Sequence, residues 1–445
     1  MPSTTSTPKT HDDVYRKTVN AWCLYDWGNS AFATTIMAAV FPPFYRSMAT
    51  AAGLSDSDAT ASWAYTTSCA LLIVALVGPF LGSFTDQTQS KKRFLTFFAG
   101  LGVISSALFV FLGETSYLLG STLFIAGNIG FAAGNIFYES LLPHIARRDD
   151  IDRVSTRGYA IGYVGGGILL VVNLLWILKP HWFLLPDVGF ALRLSFFSVA
   201  VWWAVFTIPL LRRVNEPKLS VTNTAPALRA TVDSLVRTIR KVRHYRQLLL
   251  FLAAFWIYND GIGTIIKMAT AYGDEIGIGR NDLIAGLIFA QFVGIPCTFA
   301  FGWMAQRIGT KNSILVGLGI YLLISIAGYF MRTATHFYIL AAMVGLAQGG
   351  TQALSRSLYA SMIPKKQSAE FFGFYSTSSR FAGIFGPLIF GIVSQVTGGS
   401  RLSILALIIL FIVGGALLLL VDEKEGKRVA LEEDSEHHSH RENEL

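Results

Sequence analysis

Several ionisable and amide side chains stand inside long apolar runs of this sequence. A charged group in such surroundings is costly, so it normally faces a cavity or a partner group. The side chains fall at Asp26 and Asn29, at Asn259, Asp260 and Lys267, and at Gln352 and Arg356. A carboxylate in apolar surroundings takes up a proton more readily than one in water, and an arginine binds a carboxylate through two parallel hydrogen bonds. These residue types predict a polar pocket for a small zwitterion or anion, with an acid that exchanges a proton.

A structural role for the same side chains is the alternative. Asp26 and Asp260 would then bond to backbone or hydroxyl groups of neighbouring segments and hold them together. Glu139 and Arg356 lie toward the same predicted end of their segments, where long side chains reach water more easily. These two residues could also form an ion pair that closes a gate. The residues alone leave the functional and the structural interpretation open.

The composition places these side chains in a membrane protein. The chain has 445 residues, of which 52% are hydrophobic and only 14% are charged, and its mean hydropathy is +0.49. A soluble domain carries about 25% charged residues, so this chain has too little charge to cover a surface in water. The composition argues against a soluble enzyme, a secreted disulfide scaffold and a disordered regulator.

Twelve apolar segments are long enough to span a bilayer, which takes about 20 residues per helix. They cover residues 20–43, 61–84, 94–113, 117–142, 158–178, 190–211, 247–271, 283–305, 313–331, 337–362, 373–396 and 402–421. Basic residues between the segments are concentrated on the side that carries both chain ends, and this pattern predicts an even number of spans with both termini in the cytoplasm. The predicted fold is an all-α integral membrane protein with twelve transmembrane helices.

The predicted organisation has five parts. They are a cytoplasmic N-terminal tail (1–19), a six-helix bundle (20–211), a cytoplasmic linker (212–246), a second six-helix bundle (247–421) and a cytoplasmic acidic tail (422–445). Within the linker, Leu228, Val232 and Ile239 recur at helical spacing among basic residues, which favours an amphipathic helix on the anionic inner leaflet. A solvated basic linker is the alternative, and the stretch is too short and too tethered to favour a nucleic-acid role.

The two halves carry related motifs in the same order. The loop after the second segment reads GSFTDQTQSK from Gly82, and the loop after the eighth reads GWMAQRIGTK from Gly302. The fourth and tenth segments both end in Tyr-x-Ser-x-x-Pro, at Tyr138 and Tyr359. Such a duplication predicts two pseudo-symmetric six-helix bundles around a cavity, which opens to either side in turn as the halves rock.

These motifs resemble those of the major facilitator superfamily. Gly82-x-x-x-Asp86 followed by Lys91-Lys-Arg93 resembles its signature loop, although no Gly follows Asp86 in the usual turn and the second copy has Gln306 in place of the acid. Four further strings resemble the branch named after the autophagy-linked vacuolar effluxer and its bacterial relatives; they are Tyr25–Phe32, Gly158–Gly167, Gly349–Arg356 and Glu370–Tyr375. The resemblance implies the two-bundle fold and, from the fungal members, the export of amino acids.

The resemblance also implies a gating role for the signature loop. In the superfamily the matching acid stabilises the outward-open state by pairing with the eleventh helix, so Asp86 is expected to act as a gate together with Lys91 and Arg93. Arg380, near the start of the eleventh segment, and the N-terminal dipole of that helix are the candidate partners. Glu139 is the further candidate gate residue, as a partner of Arg356. An ordinary basic cytoplasmic loop is the alternative.

The predicted function is secondary active transport of a small polar solute by alternating access, with amino acids as the class that the resemblance implies and protons as a candidate coupling ion. No Gly-x-x-x-x-Gly-Lys-Ser/Thr loop for ATP is present in the sequence, so a gradient would supply the energy. We expect no enzymatic activity, no cofactor and no metal site. A non-transporting membrane sensor or scaffold on the same fold is the alternative function.

The expected partners are the solute, protons and membrane lipids, without nucleic acid. The resemblance implies a monomer, which is the default state of the superfamily. Because the branch has many bacterial members, it favours a bacterial inner (plasma) membrane over a vacuolar membrane.

Overall fold

A computed structural model describes residues 11–216, 245–381, 385–397 and 400–442 of the chain. Its α-helices are α1 His11–Ala31, α2 Phe41–Ala51, α3 Asp56–Thr88, α4 Lys91–Leu108, α5 Tyr117–Ser140, α6 Ile151–Leu178, α7 Val188–Arg213, α8 Arg246–Glu275, α9 Arg280–Ile308, α10 Thr310–Tyr329, α11 Ala334–Ser361, α12 Ser368–Phe381, α13 Phe385–Thr397, α14 Ser400–Ala406, α15 Ile408–Leu420 and α16 Glu423–Glu442. Shorter helical elements are the π-helical segment Phe32–Ala39, the single turn Leu142–Ile145 and the 3₁₀ turns Phe109–Phe111, Arg148–Asp150, Pro180–Phe183 and Lys365–Gln367.

Ten helices among the described residues are long and apolar enough to cross a membrane. They coincide with ten of the twelve predicted segments, so the prediction of an all-helical membrane protein is confirmed. The two remaining segments, 20–43 and 373–396, are not among the ten, and the count of twelve therefore stays a prediction.

The two remaining segments are described differently from the other ten. The apolar end of the first segment continues beyond α1 in the π-helical segment Phe32–Ala39, and α1 itself begins with charged residues. The eleventh segment is described as α12 before residues 382–384 and as α13 after them.

The helices form an N-terminal half, from α1 to α7, and a C-terminal half, from α8 to α15. In the first half α1 packs on α6 and α7, and α4 packs on α5 and α7. In the second half α8 packs on α15, and α11 packs on α9 and α10. Between the halves, α12 packs on α3 and α5, and α6 packs on α9 and α11.

Glycines allow these helices to approach closely. A Cβ atom on Gly162 of α6 would lie 2.7 Å from Ser30 Oγ on α1, and one on Gly158 would lie 2.8 Å from the ring of Trp22. Between the halves, a Cβ atom on Gly373 of α12 would lie 2.7 Å from the Gly78 carbonyl oxygen of α3. Small residues at such crossings let helix backbones pack without a gap, and these two crossings bring the polar residues of α1 and α3 to their partners.

One face of the bundle carries the beginning of α1 and the helix α16, and we call it the terminal face. Near the beginning of α1, the Tyr15 hydroxyl donates to Asp150 over 3.1 Å. Most of the predicted acidic tail (422–445) forms α16, in which Val429 and Ala430 are buried. The helix forms because its apolar side has a surface to cover, and Asp434 Oδ1 accepts the Lys365 amide hydrogen over 3.0 Å.

Two predictions fall wholly or partly outside the description. The predicted amphipathic helix of the linker lies within residues 217–244, which are outside the described residues. The backbone of Arg380 belongs to α12, but its side chain is likewise outside the description.

Candidate functional site

A buried arginine of the C-terminal half bonds to the N-terminal half. Arg356 is only 1% exposed. Its Nε donates to Ser155 Oγ over 2.9 Å, and its Nη2 donates to the Ser155 carbonyl oxygen over 2.8 Å. Its Nη1 lies 3.4 Å from Asp26 Oδ2 and 3.9 Å from Glu139 Oε1. One guanidinium of α11 therefore links α6, α1 and α5, and the structure brings together three of the residues predicted from sequence.

Aromatic rings enclose this guanidinium. Its central carbon lies 4.3 Å from the ring centroid of Tyr159 and 5.0 Å from that of Trp22. The Trp22 ring stacks on Tyr138 at 4.4 Å, and the Tyr138 hydroxyl donates to Asp26 Oδ2 over 2.8 Å. A cation over an aromatic face is stabilised by about 0.5–2 kcal/mol. We call Trp22, Asp26, Tyr138, Glu139, Ser155, Tyr159 and Arg356 the arginine cluster.

The arginine cluster holds one cation and two acids in apolar surroundings. Removing one partner from a buried ion pair costs about 3–5 kcal/mol, because the other charge is left unpaired. Arg356 can therefore leave the N-terminal half only if another group takes the place of its partners or if a partner loses its charge. This requirement makes the cluster suitable for exchange of partners with a charged solute or a proton.

The second predicted acid lies elsewhere. Asp260 of α8 is 3% exposed, and its Oδ2 accepts the backbone hydrogen of Gly386 over 2.6 Å in the first turn of α13. A carboxylate at this position caps a helix N-terminus and interacts favourably with its dipole. Lys267, further along α8, has an exposed side chain, and Asn259 is partly buried. Asp260 thus has its bond within the C-terminal half, whereas Asp26 faces the other half.

The two predicted amides lie near the arginine cluster along their helices. Asn29, one turn from Asp26 on α1, donates from Nδ2 to Asn135 Oδ1 over 2.7 Å and is buried. Gln352, one turn from Arg356 on α11, is partly buried. Each of these two amides therefore lies one helical turn from a charged member of the arginine cluster.

The signature loop joins the halves at the terminal face. Asp86, at the end of α3, accepts the backbone hydrogens of Ala369 over 3.3 Å and Glu370 over 2.8 Å at the start of α12. Lys91 Nζ lies 2.8 Å from Asp86 Oδ1 and donates to Ser368 Oγ over 2.7 Å. Asp86 and Lys91 are both buried. The acid therefore contacts the helix N-terminus that was one of its two candidate partners.

Two residues that contact this junction, His144 and Glu216, were not predicted from the sequence. His144 Nε2 lies 3.3 Å from Lys91 Nζ and 3.1 Å from Ser368 Oγ. Glu216, just after α7, accepts the Lys91 backbone hydrogen over 2.5 Å, and burial raises the pKa of this carboxyl despite that bond. The side chain of Arg93, which was predicted to belong to the gate, is exposed. Glu216 lies far from Lys91 in the sequence, so only the fold brings the two together.

Comparison with known proteins gives consistent matches over most of the chain. A family model described as "Vacuole effluxer Atg22 like" matches residues 15–431. An uncharacterised MFS-type transporter of Bacillus subtilis, YxiO, is 38% identical over 421 residues, which are 94% of this chain and 98% of that protein. Autophagy-related protein 22-1 of Aspergillus niger is 31% identical over 304 residues, which are 63% of this chain. Those residues are 48% of the fungal protein, so the chain spans about half the length of that relative.

Solved structures share the fold. The E. coli fucose:proton symporter FucP, a major facilitator superfamily transporter crystallised in the outward conformation, matches with a TM-score of 0.66 at 13% sequence identity. The match covers 92% of this chain and 98% of that chain. At this identity the likeness concerns the fold alone.

Proposed function

Because this chain belongs to the vacuole effluxer Atg22-like family of major facilitator superfamily transporters, we propose that it moves zwitterionic solutes of the amino-acid class across a membrane by alternating access. The observation that carries this proposal is the bonding of Arg356 across the two halves to Asp26 and Ser155. A solute that changes these bonds also changes how strongly the halves are held together.

The charges of the arginine cluster support a zwitterion. Arg356 is paired with Asp26 and lies near Glu139, so the cluster offers both signs of charge. A solute with one carboxylate and one ammonium group can pair with Arg356 and Asp26 at once, so neither of these two charges is left unpaired when they separate. A purely anionic or purely cationic solute would satisfy one side of the cluster only.

The exchange of partners supplies a mechanism. A solute carboxylate that binds the guanidinium with two hydrogen bonds competes with Asp26, and the solute ammonium group then pairs with that acid. The bond between the halves weakens, and the terminal face opens because the solute binds the open arrangement better than the closed one. A proton on Asp26 acts in the same direction, since the neutral acid no longer attracts Arg356. The proton and the solute would in this way be coupled at one residue.

The orientation of the protein follows from its basic loops. Lys91 and Arg93 lie on the terminal face, and basic residues mark the cytoplasmic side of membrane proteins. We therefore assign the terminal face to the cytoplasm. The Bacillus subtilis relative supports a bacterial plasma membrane.

The test is exchange of radiolabelled amino acids by the full-length protein in proteoliposomes, with and without a pH gradient. We expect wild-type protein to exchange at least one zwitterionic amino acid. The variant Arg356→Lys keeps the charge but loses the planar fork that bonds to Ser155 and the acids, so the half-saturating solute concentration should rise by about 10-fold or more. Arg332→Lys, at an exposed position, is the matched control and should behave as wild type.

Two results would contradict the proposal. Folded wild-type protein that exchanges no amino acid in a broad panel, with or without a pH gradient, would favour a sensor or scaffold instead. Wild-type saturation in Arg356→Lys would remove the arginine cluster from solute binding while leaving transport itself intact.

A further inference from the structure

The duplicated signature loop keeps its acid in only one copy. The first copy has Asp86, whereas the second has Gln306 at the matching position, with an exposed side chain. The lysine at the end of the second copy, Lys311, donates to the Leu419 and Val421 carbonyl oxygens within its own half. The second loop therefore lacks the acid and lysine pair that Asp86 forms with Lys91.

The second loop nevertheless contacts the opposite half. Thr310, the first residue of α10, donates from Oγ1 to Asp152 Oδ2 over 2.6 Å. Ser357 of α11 donates from its hydroxyl to Asp152 Oδ1. Asp152 belongs to α6 in the N-terminal half, and both donors belong to the C-terminal half. One carboxylate thus joins α6 to two helices of the other half at the terminal face.

The two junctions are related by the repeat. In the first junction the acid lies on the loop, and the start of α12 provides the backbone hydrogens of Ala369 and Glu370. In the second junction the loop provides a hydroxyl, and the acid lies in the first turn of α6. The helices α6 and α12 contain the fifth predicted segment and the start of the eleventh, which occupy equivalent places in the two halves. Both acids lie in the N-terminal half, but the first is on the loop and the second is on the helix that faces the loop. Each junction retains a hydrogen-bonded carboxylate.

We propose that Asp152 is a second gating residue. It acts at the junction of the second loop as Asp86 is expected to act at the junction of the first. It stabilises closure of the terminal face by accepting hydrogens from Thr310 and Ser357. When the halves separate at this face, both bonds break and the carboxylate enters water. The structure thus assigns one acid to each of two junctions that must open together.

Hydroxyl groups supply the hydrogen bonds that Asp152 accepts across the interface. Lys427 and Glu423 of α16 are paired with each other. Hydrogen bonds to charged groups contribute about 1.5–3 kcal/mol, which corresponds to a population change of roughly 10-fold or more for each bond.

The test measures the opening of the terminal face directly. Full-length protein in lipid nanodiscs carries spin labels at Arg16→Cys on α1 and Asn312→Cys on α10, both exposed positions of opposite halves. The native cysteines are replaced in this background, at Cys23, Cys69 and Cys297. Pulsed electron paramagnetic resonance then gives the populations of the short and long distances between the labels. Because the readout needs no solute, its failure is distinguishable from failure of the proposed transport function.

We expect Asp152→Asn to raise the ratio of long to short distances by roughly 10-fold. The matched control Asp149→Asn removes the same charge from an exposed acid just before α6 and should leave the ratio unchanged. Thr310→Val removes the hydroxyl donor without disturbing the acid and should also raise the ratio. It keeps the proposal testable if Asp152→Asn fails to fold. A wild-type distance distribution in either folded variant would overturn the proposal, as would an equal shift in Asp149→Asn.

Discussion

At the scale of single residues, the partners of Arg356 explain why a charge is retained in an apolar bundle. The guanidinium bonds to Ser155 and lies within 3.9 Å of Asp26 and Glu139, all in the opposite half. A buried pair of this kind is weak evidence for stability, because desolvation offsets much of the attraction between its charges. Such a pair is useful for transport because a charged solute can take the place of one of its partners. A hydrophobic contact in the same place would not respond to a charged solute.

Asp260 is the second candidate for the coupled proton beside Asp26, and its substitution tests that alternative. The variant Asp260→Asn keeps an oxygen that accepts the Gly386 hydrogen, so the cap on α13 is retained while the charge is removed. If this acid carries the coupled proton, uptake driven by a pH gradient should fall by at least 10-fold, whereas exchange without a gradient should continue. Initial rates in proteoliposomes with and without an imposed gradient measure both quantities.

The matched control is Asp187→Asn. Asp187 also caps a helix, since its Oδ1 accepts the Phe190 hydrogen over 2.7 Å, but it is exposed. This variant should show wild-type rates under both conditions. If Asp260→Asn retains wild-type dependence on the gradient, Asp260 is a capping residue only, and Asp26 is left as the candidate for the proton.

The sequence predicts the charged members of the site better than their neutral partners. Asp26 and Arg356 are conspicuous because charges are rare in apolar segments. Ser155 and Tyr159 are not, because a serine or a tyrosine is an ordinary residue in a membrane helix. The pairing of Asp26 with Arg356 is also hidden, since it depends on how two halves of the chain meet.

At the scale of elements, the docking of α16 is the feature least apparent in the sequence. Its composition is polar and acidic, which is typical of a solvated tail, and its apolar run is only Val429, Ala430 and Leu431. Val429 and Ala430 are buried, whereas Leu431 is exposed. Three apolar positions in a polar stretch are too few to predict docking, because the surface that they cover belongs to distant parts of the chain.

The docking of α16 should depend on pH through Asp434. Burial raises the pKa of the Asp434 carboxyl, and the backbone hydrogens of Lys365 and Lys366 only partly offset this effect. The docked helix therefore binds the proton more tightly than the released helix. Docking is strongest below the unperturbed pKa, and it weakens as the pH rises through the raised pKa. Hydrogen–deuterium exchange of the α16 amides, corrected for the intrinsic rate, should show greater protection near pH 4 than at neutral pH.

The variant Asp434→Asn isolates this contribution. It keeps an acceptor for the Lys365 hydrogen and has no charge to bury, so protection at neutral pH should equal or exceed that of wild type and should change less with pH. Asp422→Asn is the control, because Asp422 also accepts backbone hydrogens at the start of α16 but is exposed. Equal pH dependence in wild type and Asp434→Asn would show that another group controls the docking.

The eleventh segment shows a second limit of prediction at this scale. Residues 373–396 read as one apolar span, which the structure describes as α12 before residues 382–384 and as α13 after them. In α13 the Gly386 backbone hydrogen is accepted by Asp260 of α8. Hydropathy does not reveal this contact, because it joins two segments that are distant in the sequence.

At the scale of the whole molecule, the described junctions join the halves on the side of the terminal face. Asp86 bonds to α12, Asp152 bonds to α10 and α11, and Arg356 bonds to α1 and α6. Duplication of the loop motif allowed the arrangement of two halves to be predicted, because repeated motifs imply repeated structure. The position of the second acid, on the helix that faces the loop instead of on the loop, could not be predicted, because it becomes visible only when Thr310 and Asp152 are seen together.

A structure held closed at the terminal face should admit reagents to its centre from the opposite side. Gln352→Cys and Asn259→Cys, at partly buried positions, report on the centre when the native cysteines are replaced. In oriented vesicles a membrane-impermeant thiol reagent should label them from the opposite side and much more slowly from the terminal face. Adding Asp86→Asn removes the ion pair with Lys91, which should increase labelling from the terminal face by roughly 10-fold or more and decrease it from the other side. Alternating access requires these changes to be reciprocal, because one cavity serves both sides. Labelling that rises from both sides together would indicate a leak, and reporters that never react from either side would contradict a central cavity.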